Sequence, residues 1–347
     1  REHLEEATVA VTRLDQAAAV HLGAMSGFLL RSESVASSRI EQVYADADEL
    51  AIAFAGGEAS REAHEIAAAA RAVEFLIETP SPLAVSAIHE AHHLLLGDDP
   101  IEGRHAGAER RVQNWIGGSD FAPRGALYVP PPPDLVPGLI DDLVLFANRR
   151  DFGAVAQAAI AHAQFESIHP YTDGNGRIGR ALLNTVLRHR GVTVRVAVPV
   201  ASVMLADVAA YFSGLDAYRE GAFDQWTVFV ANAVRVACEE AMTSVERLTG
   251  LRARWGEALT SRAGSAARDL LDVALEVPVL TSSIVVDRLG ISRRAALTAL
   301  DRLADAGVIV EVGGRKERVW IADDVVDELD ELQNRIGRRT APGVGSG

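Results

Sequence analysis

A mainly α-helical fold is predicted, with a short extended stretch near the middle of the chain and a winged helix-turn-helix towards its end. Three observations carry this. Residues 1 to about 100 are alanine-rich and helical in period. Ile178, Leu182, Leu183, Val186 and Leu187 repeat on one face of a helix. Residues 262–325 alternate amphipathic segments with glycine turns and finish on a hairpin pattern. At 347 residues the chain is long enough for more than one packed core. A hydrophobic fraction of 48% with 24% charged residues marks it as globular rather than disordered.

The first block, residues 1–100, has one conspicuous polar cluster, Ser34 to Ser38, and Ser37 and Glu41 are spaced to share a helical face. Near its end, His89-Glu90-Ala91-His92-His93 satisfies the H-E-x-x-H spacing of zinc proteases. No third ligand stands nearby, and Leu83, Val85, Ile88 and Leu94 to Leu96 surround it, so packed, hydrogen-bonded histidines are expected instead. Gly97 to Pro100 break the pattern. The second block, residues 101–245, holds Arg124-Gly125-Ala126-Leu127-Tyr128-Val129 followed by Pro130 to Pro133, a short strand that the prolines stop. On composition alone it also reads as a proline-rich surface loop.

The most informative stretch is His169-Pro170-Tyr171-Thr172-Asp173-Gly174-Asn175-Gly176-Arg177-Ile178-Gly179-Arg180. Gly174 and Gly176 free the backbone to bring N–H groups against an anion. The apolar periodicity that follows makes this loop the N-terminus of a helix, where unpaired N–H groups and the macrodipole favour negative charge. Arg177 and Arg180, three apart, can face the same phosphates. Asp173 is the single carboxylate that a phosphate-bound Mg²⁺ usually takes from protein, and His169 is placed for proton transfer. A lone G-x-G would be an ordinary turn; the base, carboxylate and two arginines at fixed offsets argue for a polyphosphate loop.

This loop matches the Fic signature H-P-[FY]-x-D-G-N-G-R-x-x-R at every specified position, and the chain resembles the Fic family over roughly residues 20–245. Gly107 and Arg110 upstream, and Tyr211, Leu215 and Trp226 downstream, fall in the expected order. The resemblance implies a helical Fic core with a β-hairpin flap. It also implies a protein adenylyltransferase that moves AMP from ATP to a Ser, Thr or Tyr hydroxyl of a target protein. In that frame His169 is the general base, Asp173 holds Mg²⁺, and Gly174, Asn175 and Gly176 cradle the phosphates. Arg177, Ile178, Gly179 and Tyr211 complete the nucleotide site, Arg180 takes the γ-phosphate, and Leu127, Tyr128 and Val129 form the flap that receives the target by strand addition. Ser37 to Gln42 resemble the family's inhibitory helix motif, [ST]-x-x-x-E-[GN], with Glu41 paired to Arg180 and Gln42 departing from the pattern. Alternatives are removal of AMP from a modified protein at the same site, or a DNA-binding regulator whose Fic core senses nucleotides.

Residues 246–261 are expected to be a connecting helix, and the winged helix-turn-helix of residues 262–325 follows. Its helices run Ala266 to Ala274, then from a Thr281 cap to Leu289, then from a Ser292 cap over Arg293 to Ala306. Arg293, Arg294 and the hairpin-tip Lys316 are candidate DNA contacts, diluted by Asp301, Asp305, Glu311 and Glu317. Residues 326–347 read as an acidic helix and tail. The formal net charge of −14 argues against wholesale binding of nucleic acid or anionic membranes. One cysteine, Cys238, excludes an internal disulfide. No apolar run reaches membrane length and the first residues lack a secretion signal, so a cytoplasmic location is expected. Expected partners are ATP and a target protein, with a second copy of the chain a further candidate.

Overall fold

The computed structural model describes residues 1–119, 122–260, 264–312 and 318–340, and they are mainly helical. The N-terminal half comprises α1 (Glu2–Ala17), α2 (Leu22–Ile40), α3 (Ala47–Phe54), α4 (Arg61–Glu78) and α5 (Val85–Leu96). A long irregular segment leads to α6 (Val136–Ala147), α7 (Ala154–Ile168) and α8 (Asn175–His189). Then come α9 (Val200–Ala206), α10 (Val208–Arg219) and α11 (Phe223–Ala258). The C-terminal block is α12 (Ala266–Glu276), β1 (Val279–Thr281), α13 (Ser282–Leu289), α14 (Arg293–Asp305), β2 (Val310–Val312), β3 (Val319–Ile321) and α15 (Asp323–Thr340). The three strands form an antiparallel sheet in the order β1-β3-β2, with Val279 and Val310 both opposite Ile321.

The centre is the α7–α8 pair, with α2 and α4 packed across α8 and α1 laid along α11. Small residues let these helices approach. Gly214 gives the Trp226 ring its place, since a Cβ there would lie 3.0 Å from the indole. Trp226, fully buried, donates its Nε1–H to Ala159 O at 2.8 Å. Among the described residues no single helix is long and apolar enough to cross a membrane.

Two sequence expectations change. The connecting helix does not start at 246, because α11 runs unbroken from Phe223 across that boundary to Ala258. Its buried positions, from Trp226 through Cys238 and Leu248 to Trp255, keep a helical period throughout, so no physical break exists there. The extended stretch at 124–129 is not a full hairpin ladder either. It is held by isolated bridges, Ile116 to Tyr128 and Ser119 to Ala122, because positive φ at Gly117, Gly118 and Gly125 and the prolines from 130 deny it longer pairing.

The C-terminal block has the three expected helices and their caps, with an additional strand, β1, before α13. The Thr281 hydroxyl accepts from Ile284 N and Ser292 from Ala295 N, while Gly290 (φ 63°) ends α13. It does not stand apart. α12 packs on α2, α15 packs on α9 and α11, and one apolar core runs through all of them. Gln333 Nε2 donates to Ser202 O at 3.0 Å, and Ser244 Oγ donates to Glu328 Oε1 at 2.7 Å.

α2 holds the key position. Its end is a Schellman turn, with Val43 N–H bonded to Ser38 O and Gln42 N–H to Arg39 O. This requires a left-handed residue, and Gln42 supplies it at φ 61°. Glycine or asparagine adopts that backbone cheaply; glutamine pays for it in strain. Midway along α2, Glu33 is 1% exposed and accepts from Ala201 N (2.8 Å) and Asn184 Nδ2 (3.3 Å), joining α2 to α8 and α9. Burial pushes its carboxyl up to about 8, against the pull of the Ala201 N–H and Arg180.

Gln42→Gly is therefore expected to stabilise the protein by about 1 kcal/mol in urea unfolding; a loss of stability would refute the strained-turn account. For Glu33 the folded value lies above the unfolded one, so its contribution is intact below the unfolded carboxylate pKa and is lost as pH rises towards 8. Between pH 5 and 8 wild type should lose on the order of 1–4 kcal/mol that Glu33→Gln does not lose. Parallel pH profiles of the two proteins would contradict the assignment.

Candidate active site

The site is built where α7 ends and α8 begins. His169 terminates α7 in the left-handed region (φ 50°, ψ 61°), and Gly174 (φ 75°) opens α8. Between them the chain is fixed from both sides. Inside, the Asn175 side chain accepts from Tyr171 N and donates to Tyr171 O, both at 2.9 Å. Outside, Arg110 donates through Nε to His169 O (2.8 Å) and through Nη2 to Pro131 O (2.6 Å). Its N–H donates to Pro170 O at 2.8 Å. One arginine thus ties the loop to the proline-rich segment.

The histidines of α5 serve this loop. Gly107 N–H donates to His92 Nδ1 at 2.8 Å, so Nε2 carries the proton and donates to Asp173 O at 3.0 Å. Burial lowers His92 to about 4, which keeps it neutral. Its ring stacks on Tyr171 at 3.7 Å, and His89 Nδ1 lies 2.9 Å from the Tyr171 hydroxyl. The packed reading of H-E-x-x-H is the one these contacts support.

His169 itself is half-buried, and its Nδ1, shielded from solvent, has no hydrogen-bond partner. Burial, against the opposing pull of Glu41, lowers it to about 4, so it is a neutral imidazole at neutral pH. In front of it lies the first turn of α8, whose N–H groups at Asn175, Gly176 and Arg177 have no intrahelical acceptor. That turn is a ready anion site.

Both arginines of the loop are held by carboxylates from the N-terminal half. Arg180, 2% exposed, donates through Nη2 to Glu41 Oε1 (2.7 Å) and Ser37 O (2.9 Å), and through Nε to Ser37 Oγ (2.8 Å). Burial alone would raise Glu41, but the Arg180 guanidinium outweighs it and holds the carboxyl below its usual range. Gly176 makes room for this, since a Cβ there would fall 2.0 Å from Glu41 Oε1. Arg177, 4% exposed, pairs with Glu65 on α4 and reaches Asp173 Oδ2 at 3.4 Å.

Beneath Arg180, Tyr211 places its hydroxyl 3.5 Å from Nη1 and 3.0 Å from His162 Nε2. Gly179 packs on Glu166, where a Cβ would come within 2.5 Å of Oε1; burial raises that carboxyl to about 7. The Ile178 side chain is buried in the core and its N–H bonds to Gly174 O, so it supports the loop by packing. Asn175 is likewise spent on the loop through its side chain and faces an anion only through its backbone.

The segment expected as a flap alternates as a strand edge would. Leu127 and Val129 are exposed, while Tyr128 turns inward, its hydroxyl donating to Ser167 O at 2.7 Å and its ring lying 3.8 Å under the Arg219 guanidinium. Arg293 and Arg294 are exposed in the first turn of α14, away from this site; Lys316 lies outside the described residues. The sequence reading missed Glu65, which no local pattern marks, and the loop-bracing role of His92, for which an apolar helix carrying adjacent histidines was the available signal. Asp173, half-exposed and only loosely engaged by Arg177, is a donor suited to Mg²⁺ held mostly by phosphates and water.

Residues 82–187 match the Fic/DOC family model. A probable protein adenylyltransferase of Aquifex aeolicus is 39% identical over 105 residues, covering 30% of this chain and 30% of that protein. The protein adenylyltransferase Fic of Aedes aegypti is 33% identical over 149 residues, or 42% of this chain and 26% of that one. The chain thus spans about a third or less of the length of these curated relatives. Among solved structures, a Fic family protein from Desulfovibrio desulfuricans G20 aligns with a TM-score of 0.56 at 21% identity, covering 90% of this chain and 95% of that one. Fic-1 of Caenorhabditis elegans (residues 134–508) aligns over 70% of this chain and 71% of its own, with a TM-score of 0.54 at 23% identity. These similarities extend the fold beyond the loop, and the loop's own residues lie inside the matched span: the chain carries a Fic/DOC family domain over residues 82–187.

Proposed function

We propose that the protein is an adenylyltransferase that moves AMP from ATP to a Ser, Thr or Tyr hydroxyl of a target protein, and that Glu41 holds it inactive. The observation that carries the reading is a neutral, half-buried His169 with an unpartnered, shielded nitrogen beside an anion-ready helix N-terminus and two buried arginines. The names of the relatives point the same way.

In this reading His169 takes the proton of the incoming hydroxyl as its oxygen bonds to the α-phosphorus and the bond to the departing pyrophosphate breaks. The first-turn N–H groups of α8 meet the phosphate oxygens. Arg177 and Arg180 face the β- and γ-phosphates, where charge grows as pyrophosphate leaves. Asp173 would hold Mg²⁺, which neutralises phosphate charge when bound. Leu127 and Val129 offer the edge on which an extended target segment aligns. Glu41 blocks the γ-phosphate twice over, by occupying Arg180 and by setting a negative charge in its place. The helix-turn-helix block gives less support to a DNA-binding regulator. Arg293 and Arg294 are exposed, but the hairpin's Arg318 is neutralised by Glu311 (2.7 Å) and Asp301 (3.1 Å).

His169→Ala should lower AMP transfer roughly 10²–10⁴-fold with ATP affinity nearly unchanged; full activity would end the assignment. Because His169 is held near 4, the acid limb of kcat/KM should fall below the ordinary histidine value of about 6.5. A limb at or above that value would show that a different group is the base.

Glu41→Gly should raise transfer at least about tenfold, whereas Arg180→Ala, which removes the phosphate ligand together with the block, should not. The double variant should behave as Arg180→Ala. Wild-type transfer by Glu41→Gly in labelled-ATP assays would refute self-inhibition.

A further inference from the structure

α2 presents two opposite faces to two different sites. Glu33, Ser37 and Glu41 lie one turn apart along the face turned to α8 and α9. Arg31, Val35 and Arg39, each two residues earlier and so roughly 200° around the helix, line a cavity of ≈ 490 Å³ on the other side. That volume is in the range of small-molecule sites. Its walls come from α2, α3, α4, α12 and α15, so it lies where the C-terminal block meets the N-terminal helices. Leu30, Val35, Leu50, Phe54, Val279 and Leu329 supply an apolar lining.

The buried charged group in its wall is Arg31. It is 9% exposed, its Nε has no hydrogen-bond partner, and its Nη2 donates only to a backbone carbonyl, Glu276 O. The nearest carboxylate, Glu276, is engaged by Arg288 at 2.8 Å. A buried guanidinium without a carboxylate of its own is costly to keep charged, and burial does lower it to about 10. Gly27 preserves the seat, since a Cβ there would sit 3.2 Å from Glu276 O, the carbonyl that Arg31 bonds. Arg71, which also lines the cavity, makes no ion pair or hydrogen bond with the described residues. Asp46, Glu74 and Asp330 are exposed, as a rim would be.

We propose that this cavity binds a small organic anion, an apolar body carrying one carboxylate or phosphate, with the anionic group on Arg31. Such a ligand seats against the back of α2 and holds the helix where it places Glu41 on Arg180. The ligand is thereby an effector of the catalytic site; this second step rests on the reading of Glu41 given above, and the binding step does not.

The test is calorimetric titration of the full chain with octanoate, with octyl phosphate and, as a charge control, with octylammonium. Octanoate or octyl phosphate should bind with one saturable site, and octylammonium at least about tenfold more weakly; the tighter of the two anions identifies the preferred head group. Arg31→Gln should weaken anion binding about tenfold or more. Ala47→Trp, placed at an exposed lining position, should also weaken it and leaves the packed core alone. Hydrogen exchange along α2 should slow when the anion saturates the protein. Absence of saturable anion binding, equal binding of octylammonium, or binding indifferent to both variants would overturn the site. Tight, Arg31-dependent binding with unchanged exchange in α2 would keep the site and overturn its coupling to Glu41.

Discussion

A buried guanidinium organises this protein. Arg180 sits near the start of α8 with almost no access to water, and a charge so placed must be matched or the fold loses several kcal/mol. Its partners come from a segment some 140 positions earlier: the hydroxyl and carbonyl of Ser37 and the carboxylate of Glu41. Satisfying Arg180 therefore fixes α2 against α8. Gly176 is the space it requires, and the Schellman turn at Gln42 is the backbone shape that delivers Glu41 to it.

Around that pair the site is preorganised by groups that do no chemistry. Arg110, Asn175 and His92 take up the loop's backbone carbonyls and N–H groups, leaving the first turn of α8 turned towards a ligand. Burial sets the protonation states. His169, His162 and His92 are held neutral, while Glu166 and Glu33 are driven towards the protonated form. The arginines and Glu41 then dominate the electrostatics of the pocket, which is the condition under which removing one carboxylate changes its character. Glu65 does for Arg177 what Glu41 does for Arg180, so both arginines of the loop are tethered to the N-terminal half.

The C-terminal block shares its core with the rest of the molecule, through α12 against α2 and α15 against α9. Through α2 it lies one helix away from the loop between α7 and α8. On its other side α2 borders the cavity lined by Arg31, Val35 and Arg39, so the helix is bounded by a charged pair on one face and a largely apolar space on the other.

How much of this was legible beforehand follows from the range of each interaction. The loop from His169 to Arg180, the caps at Thr281 and Ser292, and the helical character of most segments are local. Side-chain type, glycine placement and periodicity determine them within a few residues, and the sequence alone sufficed. Ser37 and Glu41 were legible as one helical face, and their meeting with Arg180 was expected only from resemblance to a family. The tertiary structure decided the rest: Glu65 against Arg177, His92 under the loop, α11 unbroken past residue 245, and a C-terminal block fused to the N-terminal helices. Each depends on groups far apart in the chain, whose pairing is set by desolvation and packing in three dimensions, and no spacing along the chain encodes where a buried charge will find its partner.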